Sequence, residues 1–205
     1  MSELSPKEIY DLGKKEKFGS EKKSDQFGKF KKILIWFLVI LIAGGGIYWL
    51  VKRSQEKIAE RKVYAVQITD QGSNHIDVGA SHPAYNSNPP TSGWHYEKWA
   101  DKGVYKNQLP DDQLIHNLEH GYIWISYNPD ANPEIIKQLE DFYGLGNKII
   151  VEPRKENDKL IALAAWNWLD TFDLVSGDSL SDDELKRIGD FIDQYINQGP
   201  EPNAP

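Results

Sequence analysis

Residues 111–127 read DDQLIHNLEHGYIWISY and contain a predicted helix, a glycine stop and a predicted buried strand. Asp111 can cap the helix, and Gly121 can end it in the left-handed conformation. The six residues from Tyr122 onward are apolar on both faces, which is typical of a central strand. The predicted domain is therefore built around a helix that one glycine joins to a central strand.

Further predicted elements follow this stretch. Asn132 caps a second helix, which we expect to stop at Gly144. Residues 148–152 and 160–168 are two more predicted strands, and residues 181–184 (SDDE) form a capping box for a last helix. This order predicts an α+β fold with a small mixed sheet packed by helices, preceded by one N-terminal transmembrane helix.

The predicted membrane helix is residues 33–51, ILIWFLVILIAGGGIYWLV, a run without a charged side chain. At about 1.5 Å per residue, a helix of this length covers the hydrocarbon core of a bilayer. Basic residues flank the run and no small-x-small cleavage site follows it, which favours a single-pass anchor over a cleaved signal peptide. Residues 13–32 hold eight lysines against five basic side chains in residues 52–71, so we expect a cytoplasmic N-terminus and an extracytoplasmic domain.

Composition divides the rest of the chain into four segments. We expect a disordered basic tail over residues 1–32, a stalk over 52–71, the soluble α+β domain over 72–198 and a mobile tail over 199–205. Residues 63–205 carry ten basic and 23 acidic side chains, a net charge of −13. Because phosphate binding needs positive charge, this acidity argues against a nucleic-acid partner, whereas it can attract cations.

All five histidines fall in one stretch of the domain: His75, His82, His95, His116 and His120. His116 and His120 are four residues apart on one side of the predicted helix, so both rings can bind one divalent ion. They lie away from its apolar side, and we expect the preceding loop to supply His95 or His82 as a further ligand. The chain has no cysteine and its only methionine is Met1, which favours Zn(II) or Cu(II) over Cu(I).

The sequence pattern His-x-x-Glu-His also matches an inverted zinc-protease motif, whose glutamate is the general base. The predicted helix ends immediately after the second histidine and the domain is small, which both weigh against a peptidase. Glu119 is thus a candidate metal ligand, or a catalytic base only if the domain is a metal-dependent hydrolase. Asp77 and Asp101 are candidates to orient an imidazole ligand.

The loop before the helix supports a different class of function. Residues 88–93, NPPTSG, form a rigid turn, and the aromatic residues Trp94, Tyr96 and Trp99 follow it. Such side chains usually cover a core. The alternative is a non-enzymatic module whose aromatic loop binds another envelope protein or the cell wall. Whether the domain is an enzyme stays open.

Three motifs in combination point to a known family. They are PPTSG-x-H at residues 89–95, GVY at 103–105 and H-x-L-E-H-G at 116–121. Over about residues 72–198, including Ala165-Trp166, the chain resembles the prokaryotic family of unknown function DUF3105. The resemblance implies one N-terminal membrane helix and places motif histidines at His95, His116 and His120; it implies no activity. We therefore expect a membrane-anchored domain that binds Zn(II) or Cu(II) through clustered histidines.

Overall fold

The computed structural model describes residues 31–32, 34–56, 62–146, 148–175 and 177–203. The chain divides into two units, residues 1–61 and 62–205. The first thirty residues of the predicted basic tail, residues 57–61 of the predicted stalk and the last two residues of the predicted C-terminal tail lie outside the described residues.

In the first unit, helix α1 spans Leu34–Glu56. Its 23 residues are long and apolar enough to cross a bilayer, and none of its most apolar part is buried in the protein. The helix continues past the predicted run 33–51, where Lys52 pairs with Glu56 at 3.9 Å and Arg53 lies over the Trp49 ring. The prediction of an N-terminal helix able to span a membrane is confirmed.

Among the residues that the structure describes, the second unit contains a mixed sheet and three further α-helices. In chain order its elements are β1 (Val66–Gln67), β2 (His75–Ile76), β3 (His95–Tyr96), β4 (Gly103–Val104), α2 (Asp111–Glu119), β5 (Ile123–Tyr127), α3 (Pro133–Asp141), a 3₁₀ turn (Phe142–Leu145), β6 (Ile149–Pro153), β7 (Ile161–Ala165), β8 (Trp168–Phe172) and α4 (Asp182–Tyr195).

Six of these strands form the main sheet, in the order β1-β8-β7-β5-β6-β4. Strand β5 pairs parallel with β6 and antiparallel with β7, and β8 pairs antiparallel with both β7 and β1. Strands β2 and β3 form a separate parallel pair in which His75 lies opposite His95. The predicted α+β fold with a small mixed sheet is confirmed.

Strand β5 is buried along its whole length, and its side chains alternate between two cores. Ile123 and Ile125 belong to the core that contains α3 and α4, whereas Trp124 belongs to the core that contains α2. Helix α2 therefore packs on one face of the sheet, and α3 and α4 pack on the other.

One predicted element is wrong. The single strand expected over residues 160–168 is a hairpin, because β7 ends at Ala165 and β8 begins at Trp168. Asn167 has a φ of 62°, in the left-handed region that asparagine tolerates better than most residues, and it turns the chain between the strands.

The predicted N-cap residues are confirmed for two helices and wrong for the third. Ser181 forms the expected capping box at α4, and the side chain of Asn132 accepts a backbone N–H at the start of α3. Helix α2 differs, since Pro110 occupies its N-cap and Asp111 is its first helical residue. The carboxylate of Asp111 pairs instead with Arg154.

Strand β6 and the residue after it hold the start of α2 through two buried polar side chains, Glu152 and Arg154. The Arg154 guanidinium donates to both carboxylate oxygens of Asp111, at 2.9 and 2.6 Å. It also donates to Oδ1 of Asn88 at 2.6 Å. Glu152 Oε2 accepts the backbone N–H of Leu109 at 2.6 Å. The strand thereby fixes both the first turn of α2 and the loop that precedes it.

Burial raises the pKa of Glu152 to about 8, although the Leu109 N–H acts in the opposite direction. The nearby Asp111 carboxylate raises this pKa further. The other carboxyl oxygen, Oε1, has no hydrogen-bond partner among the residues that the structure describes. Folding therefore favours the protonated form of this carboxyl group.

We expect the variant Glu152→Gln to change the pH dependence of stability. A carboxyl whose pKa is higher in the folded chain stabilises the fold below its unfolded pKa, and this stability is lost as the pH rises through the folded pKa. Between roughly pH 4.5 and 8, wild type should lose up to about 1.4 kcal/mol of unfolding free energy per pH unit relative to E152Q. Urea unfolding of the full chain in detergent, followed by tryptophan fluorescence, measures this difference.

The matched control is Glu156→Gln, which changes an exposed carboxylate near the same loop. It should keep the wild-type pH dependence between pH 4.5 and 8. Parallel stability curves for wild type and E152Q would contradict the assignment of the raised pKa to Glu152.

Candidate metal centre

Helix α2 carries His116, Glu119 and His120 on the side that faces away from the sheet. Leu114, Ile115 and Leu118 pack in the core below it. His116 and His120 are nevertheless buried. The loop that precedes the helix covers them, and its Trp99 packs against both rings.

Asn117 attaches this loop to α2. Its side-chain oxygen accepts the N–H of Ala100 at 2.9 Å, and its side-chain nitrogen donates to the carbonyl of Ala100 at 2.8 Å. Both residues are buried, so the amide meets its hydrogen-bonding needs at one backbone position. No role was predicted for Asn117, because in the motif His-x-x-Glu-His it is one of the unspecified positions.

The Pro-Pro-Thr-Ser-Gly segment positions His95 beside the histidines of α2. The N–H of His95 donates to the carbonyl of Asn74 at 2.9 Å, and that of Gly93 donates to the carbonyl of Gly72 at 2.8 Å. These bonds align β3 with β2, and the parallel register then sets His75 beside His95. The backbone thus brings together two histidines that are twenty residues apart.

Four side chains meet at one point: His75, His95, His116 and Glu119. Each offers one possible ligand atom, and these four atoms all lie within 4.8 Å of one another. Glu119 Oε2 is 3.0 Å from Nε2 of His95 and 3.6 Å from Nε2 of His75. Three imidazoles and one carboxylate form a donor set that can hold a divalent ion.

The two buried histidines of this group are oriented in the same way. Nδ1 of His95 donates to the carbonyl of Gly93 at 2.8 Å, and Nδ1 of His116 donates to the carbonyl of Tyr96 at 2.7 Å. A neutral imidazole that donates from Nδ1 presents a lone pair at Nε2. Such a bond on the far nitrogen is how metal-binding histidines are usually held.

The surroundings favour the neutral form of both rings. Burial lowers the pKa of His95, against the opposing influence of the Gly93 carbonyl and the Glu119 charge. Burial also lowers the pKa of His116, and the neighbouring histidines lower it further.

His95 consequently faces two hydrogen-bond acceptors with a single N–H. Its neutral ring can satisfy the Gly93 carbonyl, but its Nε2 lone pair then faces the Glu119 carboxylate at 3.0 Å. A proton on Nε2 would form an ion pair with Glu119, and burial opposes that charge on the ring. Binding of a divalent ion by His95 and Glu119 would satisfy both groups without this proton.

His120 lies beside the four-residue group and is not one of its members. Its ring centroid is 4.6 Å from that of His116, and Trp99 packs against both rings. Nδ1 lies 3.2 Å from the carbonyl of Glu201, whereas Nε2 is buried without a hydrogen-bond partner among the described residues.

The remaining residues named from the sequence lie elsewhere. His82 is outside the four-residue group, with its Nε2 3.0 Å from the Asp112 carboxylate. Asp77 lines a cleft beside His75, and Asp101 accepts the Tyr105 hydroxyl at its backbone carbonyl. The imidazoles of His95 and His116 are oriented by backbone carbonyls, not by these aspartates.

The C-terminal segment closes the end of α2. The N–H of Glu201 donates to the carbonyl of Glu119 at 3.0 Å, and that of Asn197 donates to the carbonyl of Gly121 at 2.8 Å. Lys148 bridges the carbonyls of His120 and Pro202, at 2.8 and 2.6 Å. The last turn of α2 therefore receives donors from outside the helix.

Comparison with models of known protein families places this α+β chain in a family. The model of the family described as "Protein of unknown function (DUF3105)" matches residues 77–205. The chain belongs to this family, as its motifs predicted. No curated protein and no solved structure gives a significant match.

We expect the variant Gly199→Ala to loosen the closure of α2. A Cβ at this position would lie 2.5 Å from the amide nitrogen of Gly121 and 2.6 Å from the carbonyl oxygen of Leu118. Both are backbone atoms, so the segment must shift, at a cost of roughly 1–3 kcal/mol. Urea unfolding of the full chain in detergent gives the loss of stability, and hydrogen exchange locates it at residues 118–121.

Gly189→Ala is the matched control, because a Cβ there meets no atom within 4 Å in α4. That variant should be neutral, or stabilising by up to about 1 kcal/mol. Equal stabilities and equal exchange rates for the two variants would show that the segment does not pack as described.

Proposed function

We propose that the second unit binds one divalent cation, Zn(II) or Cu(II), through His75, His95, His116 and Glu119. The observation that carries the proposal is the convergence of four ligand atoms within 4.8 Å of one another. The Nδ1 bonds of the two buried histidines support it, because they leave Nε2 of each ring available as a ligand.

The choice of ion follows from the donors. Imidazole nitrogen and carboxylate oxygen suit Zn(II) and Cu(II), and the chain offers no cysteine. Glu119 contributes as a ligand in this proposal, because its carboxylate already contacts His95 and lies near His75. These contacts favour a binding role for Glu119 over that of a general base for a hydrolase.

His120 is proposed either as a further ligand or as a side chain that packs beside the ion and limits its movement within the site. Its Nδ1 contacts a backbone carbonyl as in His95 and His116, and its Nε2 is buried without a partner among the described residues. A buried lone pair without a donor is uncommon and usually has a cause such as an ion or a water molecule. His82, with its Asp112 partner, has no part in this proposal.

The proposed location is the outer side of a membrane, with α1 as a single-pass anchor. The length and apolar character of α1 support the anchor. The excess of lysines on its N-terminal side supports a cytoplasmic N-terminus and an extracytoplasmic metal-binding unit.

We expect the purified full chain in detergent to retain about one Zn(II) or Cu(II) per molecule after dialysis, as measured by inductively coupled plasma mass spectrometry. His95→Ala and His116→Ala should each weaken binding by at least about 100-fold, since even groups behind the ligands contribute 10- to 100-fold. Bound metal should also raise the melting temperature, because it binds only the folded chain.

His82→Ala provides the matched control, because it removes a histidine from the same loop outside the four-residue group. This variant should bind metal like wild type. The proposed function fails if wild type binds neither ion stoichiometrically, or if H95A and H82A bind with equal affinity.

A further inference from the structure

We propose that the divalent ion enters and leaves the metal site past His75, so that the site exchanges its ion with the surrounding solution. This route presupposes the metal site proposed above and concerns how that site is filled and emptied. A site with such a route can exchange its ion, whereas a closed structural site holds its metal as part of the fold.

The four candidate ligands differ sharply in their exposure to solvent. The side chain of His75 is 47% exposed, whereas the side chains of His95 and Glu119 are 0% and 4% exposed. His116 is buried as well. His75 is therefore the one member of the group that faces solvent.

His75 is also the least constrained of the three imidazoles. It lies on β2, a strand of two residues that pairs with the equally short β3. Among the described residues, no backbone carbonyl fixes its ring in the way that carbonyls fix His95 and His116. Its contact with Glu119, at 3.6 Å, is longer than a hydrogen bond. Such a side chain can leave the ion at lower cost than its buried neighbours.

His75 lines a cleft of about 550 Å³. Its charged lining residues are Asp77, Glu97 and Lys98, so the lining contains two carboxylates and one ammonium group. The unit that carries this cleft is itself strongly acidic. Carboxylates at the mouth of a cleft raise the local concentration of cations and speed their association. The buried side of the group, in contrast, is covered by Trp99 and Trp166.

The first test measures release. The full chain in detergent is loaded with Zn(II) and mixed by stopped flow with an excess of the chromogenic chelator 4-(2-pyridylazo)resorcinol. We expect His75→Ala to retain the ion on its three remaining ligands and to release it at least about tenfold faster than wild type, since affinity changes appear mainly in dissociation rates.

The second test measures uptake of Zn(II) at low salt. The double variant D77N/E97Q should take up the ion about two- to fivefold more slowly than wild type, and high salt should abolish the difference. The control D130N/E134Q removes the same charge next to and within α3, on the other face of the sheet, and should behave as wild type.

The outcomes separate the route from the site. If H75A binds no Zn(II) while H82A does, or if H75A releases its ion at the wild-type rate, exchange past His75 is overturned and the metal site stands. Uptake by D77N/E97Q that equals uptake by D130N/E134Q overturns the role of the cleft. Wild-type chain that takes up no Zn(II) overturns both the site and the route.

Discussion

The ion pair between the buried Arg154 and the partly exposed Asp111 holds the start of α2 against the end of β6, and the position of the candidate metal centre depends on it. Arg154 is 4% exposed and also binds Asn88. Removal of the Asp111 carboxylate would leave the guanidinium buried without its charge partner, and for a fully buried pair such a loss typically costs about 3–5 kcal/mol. One guanidinium thereby fixes the helix that carries His116 and the start of the loop that ends at His95.

Burial and hydrogen bonding then favour the protonation states that a metal site needs at His95 and His116. The backbone carbonyls accept hydrogen bonds from Nδ1 of His95 and His116, and burial lowers the pKa of both rings, which favours neutral imidazoles with Nε2 lone pairs near the Glu119 carboxylate. In the proposed site, a divalent ion would bind the Nε2 lone pairs and balance the negative charge of Glu119. With three neutral imidazoles and one carboxylate, the proposed site loaded with a divalent ion would carry a single net positive charge, which an acidic domain can accommodate.

The sequence predicted those features that depend on local pattern. The apolar run of β5, the caps of α3 and α4 and the apolar length of α1 could all be read from neighbouring residues. The hairpin at Asn167 was missed because a positive φ at asparagine leaves no pattern in an apolar run. His75 was not chosen as a ligand because its place depends on the register of two-residue strands, which only the tertiary structure sets. The clustering of all five histidines was the available signal.

X-ray absorption spectroscopy of the Zn(II)-loaded full chain tests the central claim most directly, because it reports the atoms bound to the ion. A His₃Glu centre predicts nitrogen and oxygen neighbours at about 2.0–2.2 Å, with the outer-ring scattering of about three imidazoles. In the His75→Ala variant this imidazole scattering should fall by one ring. A shell of oxygen atoms with scattering from fewer than two imidazoles would contradict the account.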